Sequence, residues 1–190
     1  MVMTYYYKLA NAFVFFLLFI FISFGASVSY SENIKLDLLL QELKTPVERS
    51  SKEVERDIWA EWSKSGSIKL DSLLNRGRSF MADKKFDNAI YIFDKVINEK
   101  PTFAEAWNAR ATAYYLQGKF DKSISDINKV LSLNPSHFGA LAGLGSILET
   151  LGYFDAAREA LQKANEINPK NQNIKKSLER VIKKANDTSL

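Results

Sequence analysis

Apolar positions along the middle of this chain follow two rhythms: three or four residues apart within short segments, and 34 residues apart between corresponding segments. Phe86-Asp87, Phe120-Asp121 and Phe154-Asp155 keep the longer interval, and so do Pro101, Pro135 and Pro169. The short rhythm predicts amphipathic helices. The long one predicts that pairs of helices recur as helix-turn-helix units stacked into a solenoid, because one pair cannot bury its apolar stripe alone. Counting back from each proline sets the units at 70–103, 104–137 and 138–171.

Corresponding places in the units agree in size. The fourth is Leu73, Trp107 and Leu141, and the eleventh is Phe80, Tyr114 and Leu148, large and apolar throughout. The eighth is Gly77, Ala111 and Gly145, and the twentieth is Ala89, Ser123 and Ala157, small enough for paired helices to approach closely. Phe93 with Val96, Ile127 with Val130, and Leu161 with Ala164 return to the core, and Phe86, Phe120 and Phe154 are expected between the two helices of their own units. Asp87, Asp121 and Asp155 fall where each second helix begins. A carboxylate there can accept from free backbone N–H groups and meets the positive end of the helix dipole, so a structural role accounts for their recurrence.

With Trp107, Ala111, Tyr114, Gly118, Phe120 and Pro135 in its middle unit, the pattern resembles the tetratricopeptide repeat over residues 70–171. Lys84 departs from it where the other units carry the turn glycines Gly118 and Gly152, Ser123 stands for the usual alanine, and Arg76 and Arg110 stand where leucine is commoner. The resemblance implies an all-α, right-handed solenoid of three repeats with capping helices at both ends. A looser likeness, carried by Trp59-Ala60-Glu61-Trp62, Ala104-Glu105-Ala106-Trp107-Asn108 and His137-Phe138-Gly139-Ala140-Leu141 behind a signal-like leader, is to small exported repeat proteins of Gram-negative bacteria.

Three flanking segments complete the chain. Residues 1–31 read as a leader: Lys8, an apolar run from Ala12 to Gly25, then Ala26, Ser27 and Ser29 give the order of a secretory signal. The alternative is an uncleaved inner-membrane anchor, since Leu9 to Val28 is just long enough, at about 1.5 Å per residue, to cross a hydrocarbon core of about 30 Å. Residues 32–67 form a helical cap or linker. Ile34, Leu38, Leu39, Leu40 and Leu43 share one helix, Pro46 breaks it, and Val54, Ile58 and Trp62, widened by Trp59, share a second. The expected role is a cap over the first repeat; a membrane-surface or dimerisation helix is the other reading. Ser65-Gly66-Ser67 then marks a turn into the repeat domain, 68–190. In the last segment, 172–187, Ile174, Leu178, Val181 and Ile182 should seal the final repeat while Lys175, Lys176, Arg180, Lys183 and Lys184 face water.

Chemistry adds little to this picture. The chain has no cysteine and a single histidine, His137, placed in an inter-repeat turn and expected to be solvated. No metal set, phosphate loop or nucleophile elbow is visible, so neither an enzyme nor a cofactor or small-molecule substrate is expected. The formal charge of +4 is carried by residues 170–190, with six bases and two acids, and no aromatic residues interleave them, so nucleic acid is not the expected partner.

Protein is the expected partner. In proteins that this chain resembles, contacts come from places 2, 5, 9, 12 and 13 of each unit, on the concave side. Here those are Asp71, Leu74, Arg78, Met81 and Ala82; Glu105, Asn108, Thr112, Tyr115 and Leu116; and Gly139, Ala142, Ser146, Glu149 and Thr150. Such a mixed, weakly charged surface suits an extended peptide or a helix. Members that grip the acidic end of a chaperone use lysine, asparagine and arginine at five places, which fall here on Leu74, Arg78, Ala109, Gly139 and Gly143. Four of these have no side-chain donor, so a carboxylate clamp is not expected, and the small residues Gly139, Ala142, Gly143 and Gly145 suggest close approach of a partner backbone or a neighbouring helix instead. The expected function is an exported, periplasmic adaptor, or else a membrane-tethered structural subunit of an envelope complex. A cleaved leader predicts that mass spectrometry of the protein from its native host finds an amino terminus beyond residue 25; an intact Met1 means that the leader is retained as an anchor.

Overall fold

The computed structural model describes residues 34–45 and 49–188, and every element among them is an α-helix. α1 covers 34–44; α2 is Ser51–Trp62, α3 Ile68–Ala82, α4 Phe86–Glu99, α5 Ala104–Leu116, α6 Phe120–Leu133, α7 Phe138–Thr150, α8 Phe154–Ile167 and α9 Gln172–Thr188. The chain divides into two units, 1–39 and 40–190. Of the first, only the beginning of α1 is described, with Leu39 buried and Ile34 and Leu38 exposed. The leader and the break expected at Pro46 lie outside the described residues. Among the described residues, no helix is long and apolar enough to cross a membrane.

In the second unit, α3 with α4, α5 with α6 and α7 with α8 form three antiparallel hairpins, each packed on the next, with α9 on the last. This is the all-α repeat solenoid that the 34-residue interval predicts. The turns inside the hairpins are alike. Lys85, Lys119 and Tyr153 each donate their N–H to the carbonyl five residues back, at 2.8, 2.9 and 2.9 Å, and the residue before each has positive φ: 59° at Lys84, 71° at Gly118 and 82° at Gly152. Lys84 therefore makes the same helix-ending turn as the two glycines, at the steric cost that a Cβ brings in that region.

The small eighth places are explained by the residue sixteen positions later. A Cβ on Gly77 would lie 2.2 Å from Phe93, and one on Gly145 would lie 2.5 Å from Leu161; in the middle hairpin Ala111 and Ile127 share a cluster. Ser123, the odd member at the twentieth place, is buried and donates its hydroxyl to the Ala111 carbonyl at 2.8 Å. Apolar clusters run from one hairpin into the next: Leu74, Phe93 and Val96 with Phe103 and Ala106, then Ala111, Ile127 and Val130 with Ala140 and Ile147, then Ala157 and Leu161 with Val181 of α9. Phe120 and Phe154 pack against the second and third of these, each half-buried rather than enclosed.

Two polar arrangements tie the hairpins together. Arg110 donates to both oxygens of Asp126, at 2.7 and 2.8 Å, and to Asp94 at 2.6 Å, joining α4, α5 and α6. Burial opposes its charge, but the bonds to Asp126 and Asp94 outweigh that and hold the guanidinium pKa above its ordinary value. The recurrent aspartates do not cap. Asp87, Asp121 and Asp155 lie in the first turns of α4, α6 and α8, where the dipole favours them, but no side chain caps those helices, and Asp87 accepts from Gln117 of the next repeat at 2.8 Å.

At the far end, Glu149 accepts two bonds of 2.7 Å from Arg180 and one of 2.9 Å from Lys184, fastening α9 to α7. The Arg180 hydrogen bonds, against the effect of burial, hold the Glu149 carboxyl at a pKa of about 2.

Two predictions follow from these contacts. Replacing Lys84 by glycine relieves a left-handed residue that costs roughly 1–2 kcal/mol, partly offset by glycine's greater freedom when unfolded, so the variant should gain up to about 1 kcal/mol in urea denaturation. The folded pKa of Glu149 lies below its unfolded value of 4.5, so its stabilisation is complete above that pH and is lost as pH falls toward about 2. Urea midpoints of the wild type and Glu149→Gln should therefore differ most near neutral pH and converge through that acid window.

Candidate functional site

The concave side of the hairpins is built from α3, α5 and α7. Between α5 and α7 it holds a pocket of about 140 Å³, lined by Asn108, Ala111, Thr112, Tyr115, Ser123, Ile127, Gly139, Ala140, Gly143, Ser146 and Ile147. The floor is apolar in effect: Ala111, Ile127, Ala140 and Ile147 belong to the second cluster, and the Ser123 hydroxyl is already spent on the Ala111 carbonyl. Polar groups gather around the rest of it. Thr112 and Ser146 donate their hydroxyls back along their own helices at 3.0 Å, and Asn108 donates to Glu105 at 3.3 Å. Each keeps acceptor capacity, and the Tyr115 ring beside them is 37% exposed. Gly143 leaves the pocket open, since a Cβ there would meet only Ile127, at 3.7 Å.

Beside this pocket lies α2, begun by a capping box in which Ser50 and Glu53 exchange hydrogen bonds. Its last turn carries Trp59 and Trp62, which meet the start of α7. Trp62 stacks on His137 with ring centroids 4.1 Å apart and planes 17° apart, and Trp59 meets His137 and Phe138 edge-on at 5.3 and 5.7 Å. His137 is fully buried, contrary to the solvated turn expected for it. Its Nδ1 accepts from the Ala140 N–H at 3.0 Å, capping α7, so the imidazole proton lies on Nε2, 3.1 Å from Glu105. The other Glu105 oxygen accepts from Arg78 at 2.6 Å, and Arg78 also donates to Ser63 at 3.1 Å. Thus α2 sits above an Arg78–Glu105–His137 chain, buried at Glu105 and His137, that binds α3, α5 and α7 to one another.

The fifteen places expected to face a partner divide accordingly. Asn108, Thr112, Tyr115, Gly139 and Ser146 line the pocket, and Leu116, Ala82 and Thr150 are exposed at the later ends of their helices. Ala142 and Met81 are half-buried, Met81 against the first cluster. Leu74 is fully buried in that cluster and Glu105 is 3% exposed, so neither offers a surface. The fifth place of the leading repeat points inward because α5 packs on α3, and the second place of the next is roofed by α2. Asp71 accepts from the Ser65 N–H at 2.7 Å, Arg78 is committed to Glu105, and Glu149 to α9. Place counting missed the pocket floor, which comes from second-helix residues Ser123 and Ile127 and from Ala111 and Ile147 on the faces turned toward them. It also missed the seat of Trp59, for which Gly139 was the available sign: a Cβ there would lie 2.6 Å from the Trp59 ring. Among the described residues, no group of three His, Cys, Asp or Glu side chains is placed to hold a metal.

Comparison with known proteins agrees with this geometry. Residues 71–102, 104–137 and 138–171 each match a model of the tetratricopeptide repeat. A TPR repeat-containing protein of Rhizobium etli is 33% identical over 95 residues, which is 48% of this chain and 46% of that protein. The chain thus spans about half the length of the curated relative it matches. Among solved structures, the first TPR of Spaghetti (RPAP3) bound to the HSP90 peptide SRMEEVD superposes with a TM-score of 0.59 at 26% identity, covering 62% of this chain and 93% of that one. The Sgt2 TPR domain of Aspergillus fumigatus gives 0.62 at 23% identity, covering 65% and 83%. Three consecutive matches spanning more than half of the residues, on hairpins that share their turns and their close helix packing, show that the chain belongs to the tetratricopeptide repeat family.

Proposed function

We propose that this protein is a non-enzymatic adaptor that holds an extended protein segment on its concave face, with one apolar side chain of that segment in the pocket between α5 and α7. The observation that carries this reading is the pocket itself: an apolar floor, a partly polar surround and about 140 Å³ of space. A cavity of about 150 Å³ accommodates a benzene ring, so a leucine, methionine or aromatic side chain is of the right size. Asn108, Thr112 and Ser146 supply acceptors for the N–H groups of an extended backbone, and Tyr115 with the exposed Leu116 continues the surface toward the ends of the helices.

The expected partner differs in charge from the peptide seen on Spaghetti (RPAP3). That peptide, SRMEEVD, is acidic. In this chain Leu74 and Ala109 are buried, Gly139 lies against Trp59, Gly143 has no side chain, and the Arg78 guanidinium already serves Glu105. A neutral, apolar-anchored segment fits such a surface better than a row of carboxylates. For location we infer the bacterial envelope: the order of Lys8, the apolar run from Ala12 and the small residues after Gly25 supports export to the periplasm, and the alternative is that Leu9 to Val28 is kept as a tether to the inner membrane.

Peptide phage display on the full chain tests the pocket. Selected peptides should share one large apolar residue in a neutral context, and Gly143→Leu, which fills the pocket, should weaken them about tenfold or more. Peptides that bind Gly143→Leu as tightly as the wild type, with its circular dichroism unchanged, would rule the pocket out.

A further inference from the structure

The helix that precedes the repeats lies where a ligand would lie. Along the ends of the first helices, α2 and its flanks meet Arg78 through Ser63, His137 through Trp62 and Gly139 through Trp59. Farther on, Asn171 donates to Glu55 at 3.1 Å and Lys170 to the Thr45 carbonyl at 2.5 Å. Gly139 is at once the seat of Trp59 and a wall of the pocket. A ligand filling the pocket and running toward the start of α7 therefore meets Trp59.

Among the described residues, the apolar clusters that run from Leu70 to Val181 contain no α2 residue, while α2 buries Val54, Ile58 and Trp62 of its own. The seat is not fully matched to its occupant: among the described residues, the buried Trp62 indole N–H has no acceptor. The link to α3 bends at Gly66, with φ of +78°.

We infer that α2 is a strap docked in cis on the concave face, and that a partner extending from the pocket over Gly139 must displace it. This gives a regulation to the site proposed above and rests on that reading for its meaning, though not for its test. Held by a short turn, α2 faces its seat at an effective concentration on the order of millimolar, which a free micromolar ligand does not match. The fraction of molecules with the strap released then divides the intrinsic dissociation constant of any competitor. A second ligand class follows: a helix bearing two aromatic side chains one turn apart, spaced as Trp59 and Trp62 are.

The probe is a fluorescein-labelled synthetic peptide of residues 49–64, titrated by anisotropy into the full chain. The Trp59→Ala, Trp62→Ala double variant should keep the wild-type helical circular dichroism and bind the peptide at least about tenfold more tightly than the wild type does, because its seat is vacant. Adding Gly139→Leu should abolish that binding. Equal binding by wild type and double variant overturns the strap, as does a double variant that folds but takes up no peptide. A double variant that loses its fold overturns it too, since the repeats would then depend on α2. In limited trypsinolysis, Gly139→Leu should speed cleavage at Arg56 and Lys64 about tenfold while α3 to α9 stay resistant; unchanged cleavage, or loss of the whole chain together, is the contrary result. Phage-selected peptides indifferent to Gly143→Leu would sink the pocket reading alone and leave the α2 titration standing.

Discussion

The closeness of the two helices in each hairpin is the constraint on which the rest depends. Phe93 and Leu161 occupy the space that a side chain at Gly77 or Gly145 would need, and Ile127 packs in one cluster with Ala111. Phe93 and Leu161 face glycine, and Ile127 shares its cluster with alanine. Close-packed interiors admit little adjustment, so this match of volumes sets the distance between helices and, repeated three times, the step of the solenoid. The concave face inherits its geometry from that step. The pocket between α5 and α7 is floored by Ser123 and Ile127 because the second helix stands close enough behind the first to be reached from the groove.

Charges inside the structure work as ties between elements rather than as reactive groups. Arg110 is held by Asp94 and Asp126, and Glu105 by Arg78 and His137, so the buried ions have partners with good geometry. Losing one partner would strand the other, which is why such sets resist piecemeal change even where their net contribution to stability is small. The Arg110 set joins α4, α5 and α6 and stacks against Trp107, with 4.8 Å to the ring centroid. The Glu105 set joins the three first helices under α2 and so brings the concave face and the preceding segment into one network.

This arrangement gives the concave face two unlike halves. Around Asn108, Thr112, Tyr115 and Ser146 it is open and floored with apolar atoms. At the start of α7 it is occupied by tryptophans from the same chain. Repeat proteins must cover the exposed stripe of their terminal units, and α9 does so for the last hairpin with Val181 packed on Leu161. The amino-terminal helix α2 is tied to the first repeat through Ser63 and Arg78 and to the end of the third through Glu55 and Asn171. A partner taken up on this face would meet the tryptophans that the chain already places there.

The repeat, the hairpins, the turns and the large and small places were all legible in sequence, because each is set by residues a few positions apart or by a fixed interval of 34. Even Lys84 could be read as a turn residue from its register, although only the backbone shows that it takes the same left-handed conformation as Gly118 and Gly152. Periodicity does not say which face of a helix ends up under a neighbour. Leu74, Glu105 and Glu149 share their places with less buried or uncommitted residues of other repeats and are buried or committed by α5, α2 and α9, which approach from other parts of the chain. The meeting of Trp59 with Gly139 joins residues 80 positions apart outside the repeat interval, and no local pattern encodes such a contact. Side-chain size and spacing determined that this chain would stack hairpins; only the packed structure decided which part of their common face was left open, since that depends on where non-repeating segments come to rest.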